Sequence, residues 1–340
     1  MTDFQTVAGF EDVWRPAVRQ RIVRPRSVLR PSSAVGTGLR ARLERVAARA
    51  PEVMVKVTGR TRDGAHLRAH LDYISRNGQL ELEGPDGALI VDRRDVADLA
   101  DSWAAATLGD RPRRKDSPLS HSVILSMPAG TNEIAVRDAA RSFAADMFAG
   151  RHDYVFTLHT DTPRPHVHLS ICSRGHAGER LNPKKADLEL WRQTFAQALR
   201  DRGVEAEATP RRARGVTRKA ERTPLRKIRD RHESGTGAMA HVRQTAYREA
   251  AGAAFQGQTG RTPWEQRIVE RQRTVRGLYL AQARLLGQSG DAADRALGAK
   301  VEAFVRDMPR SDTQRLALAR ELRAANEAMR RRGDDRERSR

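Results

Sequence analysis

Two hydrophobic periods alternate along residues 52–204. Glu52–Thr58 (EVMVKVT), His121–Met127 (HSVILSM), Asp153–His159 (DYVFTLH) and Val167–Cys172 (VHLSIC) are short β-branched runs that predict strands. Gln79–Leu82 predicts a further short strand before a Gly-Pro-Asp-Gly turn. Between these lie segments of helical period. One starts at Ala65, carries the stripe Leu67, Leu71 and Ile74, and stops at Asn77-Gly78. A second covers Asp92–Thr107. A third covers Glu133–Met147, with Ile134, Val136, Ala140, Phe143 and Met147 as its apolar positions. The last, Lys185–Arg202, spaces Trp191, Phe195 and Leu199 by four and ends at Gly203. Gly109–Pro118 reads as a charged loop. This order of elements predicts an α+β domain, a central antiparallel or mixed sheet with helices packed on it.

The flanks follow another pattern. Residues 1–50 are rich in Arg, Pro and Ser and predict a basic, largely disordered arm with a short helix at Thr37–Ala48. The domain itself is expected over residues 51–215. Residues 210–231 read as a basic linker. Residues 216–340 predict a basic, mostly helical extension broken near Gly260, Gly287 and Pro309, whose terminus RRRGDDRERSR is too charged to fold alone.

Charge sharpens this division. The chain carries +20 overall with a pI near 11.2, and residues 51–204 contribute only +1 of it, against +6 before and +13 after. A near-neutral domain with basic flanks points to a polyanionic partner, nucleic acid first. No apolar run approaches the ~20 residues of a membrane span, so no membrane insertion is expected. The N-terminus lacks the basic-then-apolar form of a signal peptide. The single cysteine, Cys172, excludes an internal disulfide and fits a reducing cytoplasm. Its neighbours make it a buried strand residue.

The candidate chemistry is concentrated in ten residues, His159–His168, reading HTDTPRPHVH. His166 and His168 share one face of a strand because side chains alternate with period two. The Thr162–Pro165 turn folds His159 back toward them. Three imidazoles from adjacent strands make a metal site with open positions, and Asp161 is placed to orient a ligand. His121 is the nearest alternative third ligand. On the first helix His66, His70 and Tyr73 fall at i, i+4 and i+7, hence on one face. A metal that grips a phosphodiester beside a phenol that attacks it would conserve the bond energy as a phosphotyrosine ester. The phenol, with an ordinary pKa of about 10, needs help to ionise from Asp161, His66, His70 or the metal's field.

These residues resemble a known family. HTDTPRPHVH is similar to the third motif of relaxases, the mobilisation endonucleases of conjugative and mobilisable plasmids, in the class that includes the border endonuclease of plant-tumour plasmids. HLDYISRNG resembles the first motif, which carries the nucleophilic tyrosine, and RLNPKKADLELWRQTFAQALRDRGVEAEATPRRARG resembles the segment closing the domain. The resemblance covers about residues 52–215. It implies the HUH endonuclease fold, a central antiparallel sheet with the histidine pair on a middle strand. It also implies metal-dependent nicking of one DNA strand at an origin of transfer, with the 5′ end left on Tyr73. His159, His166 and His168 carry over as metal ligands and Asp161 as an orienting or base residue. Magnesium or manganese follows from the family, whereas three imidazoles suit zinc or nickel at least as well. Arg76, Lys184, Lys185, Arg211, Arg212 and Arg214 are the expected DNA contacts. Asn77 stands where many relatives carry Lys or Asp, which implies altered substrate preference. The implied partners are single-stranded origin DNA, accessory relaxosome proteins and a type IV secretion coupling protein, in a bacterial cytoplasm or in transit with DNA.

Two alternatives remain open at this stage. A rolling-circle replication initiator or transposase of the same superfamily usually places its tyrosine after the histidine motif, whereas Tyr73 precedes it. A catalytically degenerate DNA-binding protein would rely on the basic flanks alone.

Overall fold

The computed structural model describes residues 4–14, 35–108, 117–218, 221, 223–256 and 260–338. The chain divides into two units, Pro16–Thr209 and the combination of Met1–Arg15 with Pro210–Arg340.

In the first unit the elements run α1 (Val35–Ala47), β1 (Met54–Thr61), α2 (Gly64–Ile74), β2 (Leu82–Glu83), β3 (Leu89–Ile90), α3 (Arg93–Leu108), β4 (Ser120–Ser126), α4 (Glu133–Phe148), β5 (His152–His159), β6 (His166–Gly175) and α5 (Lys185–Arg200). The six strands form one antiparallel sheet in the order β1-β4-β6-β5-β2-β3. This is the α+β architecture expected from the alternating periods. β5 and β6 form the predicted hairpin and lie inside the sheet, so neither carries an unpaired edge.

One face of the sheet is covered by helices along its central strands. Val55, Val123, Leu125, Phe156, Val167 and Leu169 pack against Val136, Ala140, Phe143 and Met147 of α4 and Trp191, Phe195 and Leu199 of α5. The expectation for Ile134 fails: it is 60% exposed. Ile134 stands two residues before Val136, about 200° around the helix from the stripe at 136, 140, 143 and 147.

The opposite face is closed over part of its length only. Leu67, Leu71 and Ile74 of α2 and Val96, Ala100 and Trp103 of α3 bury Leu82, Val155 and Cys172. Past the end of α2 the same face carries the histidines. β3 was not foreseen, and the strand expected at Gln79–Leu82 reaches only Leu82–Glu83. A 3-10 turn at Pro85–Gly87 with Asp86 at φ 55 folds these two-residue strands together, and strands so short carry no readable period. Of the expected charged loop, residues 109–116 lie outside the described residues, as do residues 15–34 of the expected arm.

The second unit is helical: α6 (Thr223–Glu233), α7 (His241–Phe255), α8 (Pro263–Gly287), α9 (Ala292–Arg306) and α10 (Gln314–Arg338). Its breaks fall where the sequence placed them, near Gly260, Gly287 and Pro309. The charged terminus continues the helix of α10 to Arg338. Residues 210–231 are not a plain linker. Arg211–Arg214 form a 3-10 turn that buries Ala213 and gives the Arg212 carbonyl to Gln272 of α8 at 3.1 Å, and α6 follows. Phe10 and Trp14, within the segment read as an arm, are buried on α8. Trp14 Nε1 donates to the Tyr279 hydroxyl at 2.9 Å, and the Phe10 ring meets Tyr279 edge-on. No helix among the described residues is long and apolar enough to cross a membrane.

Candidate active site

The register of the β5–β6 hairpin builds the histidine cluster. His159 pairs directly with His166, and His168 pairs with Thr157 on one side and Ile124 on the other. The three rings stand 4.4, 5.2 and 5.5 Å apart, centroid to centroid. One ligand nitrogen from each lies within 4.8 Å of the others. His159 and His168 are buried and His166 half-buried.

One nitrogen on each of two rings is held by backbone. His159 Nε2 donates to the Ile74 carbonyl at 2.7 Å, and His166 Nδ1 donates to the Arg164 carbonyl at 3.1 Å. A carbonyl only accepts, so these nitrogens carry the hydrogens and leave Nδ1 of His159 and Nε2 of His166 with free lone pairs. Metal-binding histidines are usually fixed in this way. Burial, with His159 and His166 adding to it, lowers the His168 pKa to about 3. Burial also lowers that of His159. Both rings are therefore neutral near pH 7, the form that coordinates. The set fits a divalent transition metal by donor chemistry, with room for further ligands. His121 is not part of it. It sits farther along β4, with Nδ1 bonded to Ser173 Oγ at 2.9 Å.

Tyr73 arrives from α2. Asp63 caps this helix by accepting from His66 N at 2.7 Å, and the buried Leu67, Leu71 and Ile74 fix its rotation. Tyr73 is thereby turned outward, 64% exposed, with its ring edge-on to His168 at 5.8 Å. Immediately afterwards Arg76, Asn77 and Gly78 take φ values of 54, 58 and 82, a run of left-handed backbone that reverses the chain. Gly78 is required there, since a Cβ would lie 2.6 Å from Arg93 N. Asn77 tolerates this backbone better than most residues.

The turn carries Arg76 to the hairpin loop, where its Nη2 meets Asp161 Oδ2 at 2.6 Å. Asp161 thus faces an arginine, where the sequence suggested a histidine. The Arg76 hydrogen bond holds its carboxyl below the usual carboxylate range, a poor setting for a base. His66 and His70 lie beside Tyr73 as expected, in the wall of a cavity of about 290 Å³ that also touches His168. His70 Nε2 is bonded to Ser122 Oγ at 2.8 Å, and burial, with His66 nearby, lowers its pKa to about 4.

Of the expected DNA contacts, Arg76 borders the site. Lys184 and Lys185 are exposed at the start of α5, and Arg211, Arg212 and Arg214 belong to the second unit. One basic residue was missed. Lys56 pairs with Ile124, which pairs with His168, so Lys56 is exposed in the histidines' row on their face of the sheet, its Cα about 10 Å from that of His168 at two strand spacings. The alternation in EVMVKVT told that Lys56 opposes Val55 and Val57, but not which face the histidines share.

The site is thus a cluster of metal-competent histidines on a central antiparallel hairpin of an α+β unit, with an outward tyrosine beside it. Comparison with known proteins shows what this arrangement is similar to. Residues 81–204 match the family model "Relaxase: MobA/VirD2-like, nuclease domain". The chain is 29% identical over 185 residues to the T-DNA border endonuclease VirD2 of Rhizobium radiobacter, covering 48% of this chain and 43% of the relative. It is also 29% identical over 209 residues to the VirD2 of Agrobacterium fabrum, covering 52% and 46%. The chain thus spans less than half the length of these curated relatives. A solved structure described as "Molecular Basis of Vancomycin Resistance Transfer in Staphylococcus aureus" superposes with a TM-score of 0.32 at 15% identity, over 47% of this chain and 98% of that one. So low a score carries no weight.

Proposed function

We propose that this protein nicks one DNA strand at a plasmid origin of transfer and retains the cut 5′ end on Tyr73. The observation that carries the reading is the edge-on approach of Tyr73 to His168, 5.8 Å between ring centres, with Tyr73 still open to solvent. His159, His166 and His168 would hold a divalent metal, which when bound supplies Lewis-acid stabilisation of the charge developing on the phosphate oxygens. Its identity follows from loading, with magnesium and manganese favoured by family and zinc or nickel by donor type.

The chain's own groups do the rest. The Tyr73 oxygen attacks phosphorus, the bond to the 3′ oxygen breaks, and that oxygen leaves with a proton from solvent. Asp161 is engaged by Arg76 and the Nε2 of His70 by Ser122, so His66 is the residue left on that face to take the phenolic proton. Arg76 and Lys56 border the phosphate's position and oppose its charge, while Lys184, Lys185, Arg211, Arg212 and Arg214 supply sequence-independent backbone contacts. Because the ester conserves the bond energy, the strand can be rejoined after transfer. Residues 51–215 are the nuclease domain in this reading. The helical region after it serves DNA, accessory relaxosome proteins or a type IV coupling protein in the bacterial cytoplasm.

The test is incubation of the full chain with origin-containing oligonucleotides and a divalent metal, followed by denaturing electrophoresis. A protein–DNA band that survives denaturation, maps to Tyr73 and is abolished in Tyr73→Phe is the expected outcome. Adduct at another residue refutes the site, and DNA binding without any adduct favours a degenerate binding protein.

A further inference from the structure

The cavity beside Tyr73 has a floor that the fold itself does not explain. β1 bulges between Val57 and Gly59, where its register against β4 shifts, and Gly59 then pairs with Ser122. Bulges next to reactive centres commonly re-aim a strand. Gly59 has no left-handed backbone, and the nearest atom to a Cβ built there is Ser122 Oγ at 3.9 Å, an ordinary contact. Neither conformation nor packing demands glycine at this position, and a glycine inside a strand weakens it. The space that its missing side chain leaves belongs to the cavity, which Gly59, Thr61, Ser122 and Ile124 of β1 and β4 line together with His66 and His70.

We propose that this cavity receives the base of a nucleotide adjoining the phosphate that Tyr73 attacks, and so sets the base preference of the cut. The inference rests on the nicking reading above, because that reading puts the phosphate between Tyr73 and His168 at the cavity's mouth. At about 290 Å³ the space lies just under the roughly 300–1,000 Å³ of ligand pockets, which suits a single base. Its lining suits a base by kind as well as size. The rings of His66, His70 and Tyr73 offer flat faces for stacking. Thr58 Oγ1, whose hydrogen goes to the Ser122 carbonyl, and Ser122 Oγ, bonded once to His70, keep oxygen lone pairs that can accept from a base edge, whereas Thr61 is buried and bonded to Ser120. The His70–Ser122 hydrogen bond holds the wall and floor together, so the cavity is formed before DNA arrives.

The test is to fill the cavity from its floor. The full-length protein, Gly59→Ala and Gly59→Val are each incubated with metal and a randomised single-stranded DNA library, and the strands captured on Tyr73 are sequenced. The wild type shows a base preference at a position flanking the joined phosphate, on the order of tenfold for one base–aromatic stack. Gly59→Ala weakens that preference and Gly59→Val removes it, while preferences farther along the strand persist. Gly59→Ala guards against misfolding, because its Cβ meets only an ordinary contact. Unchanged flanking preference in both variants overturns the proposal. So does loss of all capture in folded variants, which would place Gly59 in the chemistry and not in recognition. No capture by the wild type overturns the nicking reading, and this inference with it.

Discussion

Two groups of histidines lie on the strands of the central sheet, and comparing them separates a site from a structural device. His121 and His152 are buried, and burial lowers both pKa values, that of His121 to about 4. His159 and His168 are also buried with lowered pKa values. Burial and neutrality therefore do not distinguish the groups. Connectivity does. His121 spends Nδ1 on Ser173 Oγ, and His152 spends Nδ1 on the Cys172 carbonyl at 3.0 Å. In the other group His159 and His166 each have one nitrogen fixed on a carbonyl, and a nitrogen from each of the three rings lies within 4.8 Å of the others. Perturbed histidines mark a site when their free lone pairs meet.

The largest effect that can break this comparison is on chemistry. His168→Ala should lower adduct formation by about 100-fold or more, and the rise in unfolding midpoint expected on adding divalent metal to the wild type should be absent from the variant. His121→Ala should keep both properties but lose about 1–3 kcal/mol of stability by denaturant unfolding, because Ser173 Oγ is left buried without its partner. A metal-induced shift that survives in His168→Ala would erase the distinction.

Acid should act on both groups alike. His70 and His121, each lowered to about 4, and His168, lowered to about 3, refuse protons that the unfolded chain accepts below about pH 6.5. In metal-free protein the contribution of these histidines to stability should be complete above pH 6.5, be lost progressively as pH falls toward 4 and 3, and change no further below, where carboxylates such as Glu265, lowered to about 2, take over the slope. His121→Phe should flatten part of this slope, measured from denaturant midpoints across that range. The smallest effect expected is for Arg76→Ala. The Arg76–Asp161 pair is about half exposed on both sides, so its loss should cost no more than about 1 kcal/mol. A larger loss of stability would mean that the pair, and not the Ile74 carbonyl, joins α2 to the hairpin.

The sheet, the packing helices and the histidine hairpin were legible because each rests on a local period. Leu67, Leu71 and Ile74 fixed the rotation of α2 and, with it, the outward aim of Tyr73. Trp191, Phe195 and Leu199 did the same for α5. What was not legible depends on the partner strand or on single backbone angles. The β2–β3 hairpin is too short to show alternation. Ile134 is a different case, since its phase, about 200° from the stripe of α4, follows from sequence spacing alone. The Arg76–Asp161 pair joins residues 85 apart in sequence, and the placement of Lys56 on the histidine face required the register of β1 on β4. Phe10 and Trp14 were lost in an Arg-rich stretch whose average composition spoke for disorder.

That last pair bears on how the molecule is made. Trp14 bonds to a residue 265 positions away, and everything from Pro16 to Thr209 belongs to the other unit. During synthesis the N-terminal aromatic segment has no surface to rest on until α8 emerges, whereas the unit Pro16–Thr209 has all its residues well before then. Folding should therefore proceed from the inserted unit outward, with closure of the long loop between Trp14 and Tyr279 as a late step.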